Sequence, residues 1–207
     1  DGGAHGKVVA LKAHRDLNLW YRTGLPYDEI HPEDPNNVGV IARSETDGQE
    51  NMKAYKQIPD WKTHYPVAAY VSDLNDENGN PGWYLPAIKE VQAMVGWIDG
   101  EVLSPDGEAG QEPSEAMKEK RKAINQLIVD NGGNEFYFYG YDVSFIIDQT
   151  NAWEADYFNR IYTSTETDYQ VHPMVFKFYL RNGWWETMHV YGDLAGSYGE
   201  VRPFLAF

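Results

Sequence analysis

Apolar residues recur at helical spacing in two stretches of the middle of the chain. In the first stretch, four of them follow Pro86 at intervals of three or four residues: Ile88, Val91, Val95 and Ile98. This spacing places them on one face of a helix. Proline is favoured at a first helical position, because the N–H that it lacks would have no helical partner there. We therefore predict a helix that begins at Pro86, buries this face and ends at Gly100.

The second stretch predicts a longer helix with clearer ends. Pro113 and Ser114 are a start signal, and Gly132-Gly133 is an end signal. Four apolar residues between them are expected to share the buried face: Met117, Ile124, Leu127 and Ile128. The charged run "KEKRK" (118–122) is expected to be the solvated face of the same helix.

Upstream, residues 23–60 lose any regular pattern. This segment holds four prolines, three glycines and the polar runs "HPEDPNN" and "SETDGQEN". We predict a long irregular insertion here, within a single domain that spans residues 1–207. Long ordered loops are uncommon unless they are functional. Directly after it, "YPVAAYVSDLND" (65–76) predicts a short helix that follows Pro66.

Beyond Gly133 the pattern changes from helical to extended. Aromatic and β-branched residues dominate six short segments: "EFYFYGY", "VSFIIDQ", "RIYTST", "MVFKFYL", "WWETMHVYG" and "EVRPFLAF". Asn182-Gly183 is a strong hairpin signal between two of them. Near the start, "GKVVALKAH" (6–14) predicts a strand that pairs with the last strand of the chain. This order of helices and then mostly antiparallel strands predicts an α+β domain with paired terminal strands.

The composition excludes several classes of function. The 207 residues carry 32 Asp and Glu against 17 Lys and Arg, a formal net charge of −15. A phosphate backbone requires a basic footprint, so we expect no nucleic-acid partner. There is no run of 18 apolar residues, so we expect no membrane insertion. There is also no cysteine, which excludes disulfides, thiolate metal sites and cysteine nucleophiles.

Several short motifs follow one another in an order that resembles a known family. They are "GWYLPAIKEVQAM", "INQLIVDNGG", "IYTSTE", "VFKFYLRNG" and the terminal "VRPFLAF", with "GKVVALKAH", "DGQENMKAY" and "YPVAAYV" as a lead-in. In this order they resemble the Fibrobacter succinogenes major paralogous domain and related C-type-lectin-like domains of bacterial surface proteins. The resemblance spans roughly 6–14 and 47–207. The chain departs from the family pattern at Ala87, at Tyr162-Thr163 and at Phe204-Leu205, where the family typically has Ser, Trp-Ser and Val-Arg.

The resemblance implies a fold and a class of function. The fold is C-type-lectin-like, with two helices packed on a twisted, mostly antiparallel sheet. The function is non-enzymatic recognition or adhesion by an exported protein or lipoprotein displayed on a bacterial surface, with a glycan or a protein as ligand. The signal segment that export requires is absent from this sequence. Two alternatives remain open: a structural subunit of a bacterial surface appendage, and a glycan-active hydrolase.

A surplus of aromatic residues locates the expected ligand face. The chain has 7 Trp and 15 Tyr, and "NAWEADYFN" (151–159) places two of these aromatic residues among acidic and amide side chains. Adjacent strand residues face opposite sides, so one of the Trp184-Trp185 pair should leave the core. Such side chains can stack on sugars or form protein hot spots, although any one of them can instead fill the core. The predicted ligand-binding residues are Trp153, Asp156, Tyr157, Asn159, Trp184, Trp185, Tyr191 and Tyr198.

No motif in the sequence predicts a metal site or an active site. "DLNDENGNPGWY" imitates a calcium loop through Asp73, Asn75 and Glu77, but Gly79 falls at the seventh position and Tyr84 at the twelfth. A calcium loop needs glycine at position six and a bidentate Glu at position twelve, so we expect a polar turn. Calcium held by some other geometry stays open. The six His show no His-Glu-x-x-His pattern, and no nucleophile elbow or phosphate loop occurs, so we expect no cofactor and no enzyme.

Overall fold

The computed structural model describes residues 6–14, 41–79, 81–99, 114–135, 160–166, 173–179, 184–189 and 200–206. Within these ranges the chain is α+β, as its sequence pattern predicts. The described elements, in chain order, are β1 (Lys7–Val9), α1 (Gly48–Tyr55), α2 (Trp61–His64), α3 (Pro66–Glu77), α4 (Ile88–Asp99), α5 (Glu115–Asp130), β2 (Arg160–Glu166), β3 (Pro173–Tyr179), β4 (Trp184–His189) and β5 (Phe204–Ala206). No helix in these ranges is both long and apolar enough to cross a membrane.

The described strands form two antiparallel sheets. One sheet pairs β1 with β5, with Val9 opposite Phe204, so the predicted pairing of the terminal strands is confirmed. The other has the order β2-β3-β4. In it, Tyr179 lies opposite Trp184 across the β3–β4 hairpin that the Asn-Gly signal predicts. The turn residues themselves lie outside the described ranges.

Three helices lie where the apolar spacing predicts them, but α4 begins later than expected. Pro86 is not its first residue, because the helix starts at Ile88. The Ala87 N–H donates to Glu90 Oε2 at 2.7 Å, and the Glu90 N–H donates back to the Ala87 carbonyl at 3.1 Å. The first of these bonds is one half of a capping box, which makes Ala87 the cap and leaves Pro86 outside the helix. The predicted burial of Ile88 and of the apolar positions that follow holds through Val95.

The segment predicted as irregular contains the helix α1. With α2, the described part of the chain has five helices, where the sequence patterns predict three and the resemblance implies two. Asp47 begins α1, and its Oδ1 accepts hydrogen bonds from the N–H groups of Gln49 at 2.9 Å and Glu50 at 3.1 Å. The Asp-Gly pair of the polar run "SETDGQEN" is thus an N-cap and a first helical residue. Residues 15–40, which include the first half of the predicted insertion, lie outside the described ranges.

The buried face of α5 differs from the predicted one. Ile128 is buried as expected, but Leu127 is 62% exposed. Arg121 and Asn125 lie inward instead, two turns and one turn before Ile128. The helix is therefore rotated about its axis relative to its apolar stripe, and the run at 118–122 is not wholly solvated.

Two packed clusters form the described core. The larger joins α1, α3 and the segment before α4 to β2 and β5; its most buried aromatic residues are Tyr55, Tyr65, Tyr84, Tyr162 and Phe204. The rings of Tyr55 and Tyr65 lie 4.4 Å apart between centroids. The smaller cluster joins α4 and α5 to β2 through Ile88, Val91, Val95, Ile128 and Ile161. Aromatic residues therefore fill much of the described interior.

Arg202 ties the two ends of the described chain together from a fully buried position. Its Nε donates to Glu200 Oε1 at 2.6 Å. Its Nη1 donates to the carbonyls of Ala10 at 3.0 Å and Leu11 at 2.9 Å. Its Nη2 reaches the carbonyls of residues 134 and 135 at 3.0 and 3.1 Å. One guanidinium therefore joins the strand β1 region, the end of α5 and the approach to β5.

Replacing Arg202 with Lys should destabilise the domain strongly. A lysine ammonium is compact and carries three donors, so it cannot reproduce the planar fork that reaches four carbonyls and Glu200. We expect Arg202→Lys to lower the free energy of unfolding by about 3–5 kcal/mol in urea denaturation. Lys62→Gln, which removes an exposed ion pair with Asp73, is the control and should leave the midpoint unchanged. A loss below about 1 kcal/mol for Arg202→Lys would contradict this role.

Gly48 is required where α1 approaches the segment before α4. A Cβ at Gly48 would lie 2.3 Å from the Leu85 carbonyl oxygen and 2.8 Å from the Tyr84 ring. Helix propensity alone predicts that Gly48→Ala stabilises α1 by about 0.5–1 kcal/mol. We expect instead a loss of about 1–3 kcal/mol from the forced displacement, measured by urea denaturation. Ala54→Gly in the same helix is the reference for propensity, and a stabilised Gly48→Ala variant would refute the close contact.

Candidate functional site

A pocket of about 670 Å³ lies between β1, α4 and α5. This volume is within the range of about 300–1,000 Å³ that is usual for small-molecule sites. Its lining residues are Lys7, Val9, Ala10, Leu11, Thr46, Lys89, Glu90, Ala93, Met94, Trp97, Ile124, Ile128 and Phe204. Most of them are apolar, and the polar ones come from three short segments: the start of β1, residue 46, and the first turn of α4.

One stripe of α4 forms a wall of this pocket. Its members are Glu90, Ala93, Met94 and Trp97, which are spaced at i, i+3, i+4 and i+7 and so share one face of the helix. This face lies beside the stripe that α4 buries in the core. Ile124 and Ile128 of α5 are also one turn apart and form the facing wall. The helical spacing of both helices thus positions the apolar walls.

The polar end of the pocket is organised by Glu90, which is only 6% exposed. Its Oε2 accepts the N–H groups of Gly48 at 3.0 Å and Ala87 at 2.7 Å. Its Oε1 accepts the Tyr84 hydroxyl at 2.8 Å and the Lys7 ammonium. A carboxylate has about four acceptor positions, so these four donors saturate Glu90. Burial, and then the hydrogen bond to Glu90, raises the pKa of Tyr84, which keeps its hydroxyl a neutral donor.

Two lysines give this polar end a surplus of donors. The Lys7 side chain is 45% exposed and contacts Glu90, and the Lys89 side chain is 44% exposed and contacts Glu45 at 2.6 Å. Each ammonium carries three donors, so one contact leaves the others available to a ligand or to water. Thr46 is the remaining polar lining residue. The end of the pocket therefore offers donors, while its one carboxylate is already occupied.

Trp97 stands at the open side of the pocket and is 73% exposed. The Lys120 ammonium lies 5.7 Å from the centroid of its ring, within the range of a cation–π contact. The same ammonium donates to the Trp97 carbonyl at 2.9 Å. A flat aromatic face and a cation thus flank the pocket on the side of α5.

A second group of buried polar side chains lies in β2, and these side chains make hydrogen bonds to neighbouring elements of the scaffold. The Tyr55 hydroxyl donates to the Ser164 carbonyl at 2.6 Å. Thr165 Oγ1 accepts the Ile88 N–H at 3.0 Å and donates to the Ser44 carbonyl at 3.0 Å. These bonds join β2 to α1, to the start of α4 and to the segment before α1. The polar residues of "TSTE" therefore cross-link the scaffold.

Glu166 ends this strand as a buried acid. Its Oε2 accepts the N–H groups of Ile41 at 2.6 Å and Ala42 at 3.0 Å. Burial raises its pKa to about 8, although both peptide groups, the Tyr65 hydroxyl and the charge of Arg43 oppose that rise. Glu166 is consequently a mostly neutral acid at pH 7. A carboxyl with a raised pKa is a feature of active sites, but here its contacts are with backbone and core side chains.

Most of the predicted ligand-binding residues lie outside the described ranges. These are Trp153, Asp156, Tyr157, Asn159, Tyr191 and Tyr198. Trp184 and Trp185 begin β4, where their backbones pair with Tyr179 and Phe178. The predicted aromatic face therefore stays a prediction. The pocket was not predicted from the sequence, and the signal that could have indicated it is the second stripe of α4.

The segment that imitates a calcium loop is not the polar turn that we expected. Asp73, Asn75 and Glu77 lie in the last turns of α3. Asn75 is buried, and its amide exchanges two hydrogen bonds with the backbone of Trp83, at 2.7 and 2.6 Å. Asp73 pairs with Lys62. Within the described ranges, no three His, Asp or Glu side chains are grouped in a way that could hold a metal ion.

Comparisons with known proteins add no further constraint. No family model matches the chain, and no match is found among curated proteins or among solved structures. The resemblance of the sequence motifs to C-type-lectin-like domains therefore remains a prediction.

Glu166 should make the stability of the domain depend on pH. Its pKa is higher in the folded state, so between pH 4.5 and 8 the unfolded chain releases a proton that the folded chain keeps. The contribution of Glu166 to the free energy of unfolding is therefore largest below pH 4.5, and it decreases as the pH rises towards 8. Glu166→Gln mimics the neutral acid and removes this dependence. We expect the variant to gain a few kcal/mol relative to the parent between pH 4.5 and 8.

The measurement is urea denaturation of both proteins at half-unit steps from pH 4 to pH 9. Glu119→Gln replaces an acid whose side chain is 74% exposed and is the matched control. Its stability relative to the parent should not vary over this range. A difference between Glu166→Gln and the parent that is also constant with pH would show that the buried acid is ionised in the folded state.

Proposed function

We propose that the chain is a C-type-lectin-like recognition module without catalytic activity. In this proposal it binds a glycan or a protein through an aromatic-rich face formed by residues 151–159 and 184–198. It is exported and displayed on a bacterial surface, and it requires no cofactor. Export and display rest on the resemblance of its motifs alone.

The observation that carries the proposal is the convergence of those motifs in space. Tyr84, from "GWYLP", forms a two-way backbone bridge with Phe204, from "VRPFLAF", at 2.8 and 2.9 Å. Ser164, from "IYTSTE", donates its N–H to the Pro86 carbonyl at 2.7 Å. These three motifs follow one another along the chain at distances of about eighty and forty residues, and the hydrogen bonds join them into one unit. This supports a scaffold in which the residues of these motifs hold the fold together and the loops between them bind the ligand.

The use of the buried carboxylates supports a non-enzymatic role. Glu90 accepts four donors, Glu166 accepts two peptide N–H groups, and Glu200 pairs with Arg202. Each of these acids therefore has a structural partner. A hydrolase of the glycosidase type would instead need two carboxyl groups that face a substrate across a cleft.

A glycan array tests the recognition function directly. The protein should bind a restricted set of glycans, and the array is read once with calcium and once with a chelator. Binding in both conditions would support the cofactor-free mode, and loss with chelator would overturn it while leaving recognition intact. If no glycan binds in either condition and sedimentation velocity shows self-association, the assembly alternative replaces the proposal.

Alanine variants then locate the face. Trp153→Ala and Tyr157→Ala should weaken glycan binding at least tenfold without changing the unfolding midpoint. Trp184→Ala and Trp185→Ala should behave differently from each other, because neighbours on a strand occupy opposite faces. One should lower the stability and the other the affinity. Equal affinity for all four variants and the parent would exclude this face.

A further inference from the structure

We propose that the pocket between β1, α4 and α5 binds a small amphipathic anion, which has an apolar body and one negatively charged, acceptor-bearing end. This inference is independent of the proposed function. The pocket lies on the described scaffold, whereas the proposed recognition face lies on other segments of the chain. Failure of one would leave the other standing.

The walls determine the body of the ligand. Val9, Met94, Trp97 and Ile124 come from three elements and belong to the apolar walls of this pocket of about 670 Å³. Met is unbranched and adapts to irregular shapes, and an indole offers a flat apolar face. Apolar walls with a few polar groups at one end are the usual anatomy of a small-molecule site. An aliphatic or aromatic body satisfies these walls without leaving polar groups unpaired.

The polar end determines the charge of the ligand. Lys7 and Lys89 have partly exposed ammonium groups with donors to spare, and Glu90, buried and saturated by four donors, has no remaining acceptor position. A cation brought to this end would find no free carboxylate among the lining residues, and only the Thr46 hydroxyl among those side chains could accept a hydrogen bond from a ligand. A carboxylate-type oxygen would accept charge-assisted hydrogen bonds from the lysines.

The surroundings reinforce this preference. The Lys120 ammonium beside Trp97 adds a positive charge at the open side of the pocket. Lys7 and Lys89 are paired with Glu90 and Glu45, so the three lysines exceed these two acids by one positive charge, in a chain whose formal net charge is −15. Fields of this kind raise the local concentration of an oppositely charged ligand. Charge and shape therefore point to the same ligand class.

Three probes with the same apolar chain test the proposal: octanoate, octanol and octylammonium. Titrations followed by saturation-transfer NMR give the three dissociation constants, with octanoate and octylammonium kept below their micelle concentrations and octanol below its solubility limit. We expect saturable binding of octanoate, about tenfold weaker binding of octanol, and weaker binding still of octylammonium. Equal affinity for octanoate and octanol, or tighter binding of octylammonium, would overturn the assignment of charge.

Two variants connect the binding to this pocket. Ala93→Leu extends a side chain into the pocket from α4 at little cost in helix propensity, and it should abolish octanoate binding. Ala123→Leu, an exposed position of α5 outside the lining, is the matched control and should bind as the parent does. Lys89→Gln should weaken octanoate at least threefold and leave octanol unchanged, because it removes a charge from the polar end only. Octanoate affinity that Ala93→Leu does not alter, or no saturable binding by any of the three probes, would refute the site.

Discussion

The described fold depends on how one buried carboxylate is neutralised. Glu90 accepts a donor from β1, the first N–H of α1, the Tyr84 hydroxyl and the N–H that precedes α4. Two helix starts, whose N–H groups lack intrahelical partners, therefore share one acceptor. An isolated buried charge would be costly, and a fully hydrogen-bonded one is tolerated. Glu90 also lies at the polar end of the pocket, so a substitution of Glu90 would change both the scaffold and the candidate site.

Buried ionisable side chains join distant segments of this chain, a role that disulfides have in small secreted domains. Arg202 bonds to the carbonyls of residues 10, 11, 134 and 135, and Glu166 bonds to the N–H groups of residues 41 and 42. In each case a side chain satisfies backbone groups that regular secondary structure leaves unpaired. Without cysteine, the chain joins distant segments by networks that are sensitive to the loss of a single partner.

Sequence patterns predicted those parts of the fold that depend on local spacing. The burial of Ile88, Val91 and Val95 follows directly from their period. The rotation of α5 does not follow from its local pattern, because packing against neighbouring elements decides which face is buried. In this structure that packing leaves Leu127 exposed. Helix α1 was placed in an irregular insertion, since the polar run around Asp47-Gly48 shows no apolar period, although Asp is a favoured helix cap. The pocket depends on the distance between three elements, which no local pattern encodes, and its stripe on α4 reads like a core face.

The contact between Arg202 and the carbonyl of Ala10 has a consequence for the order in which the domain can be completed during synthesis. The two residues are 192 positions apart in the chain. At typical rates of elongation of about 5–20 residues per second, Ala10 precedes its partner by roughly 10 to 40 s. Throughout that interval β1 has no β5 to pair with. The helices around Glu90 can form earlier, but β1 and β5 can pair only after β5 has left the ribosome.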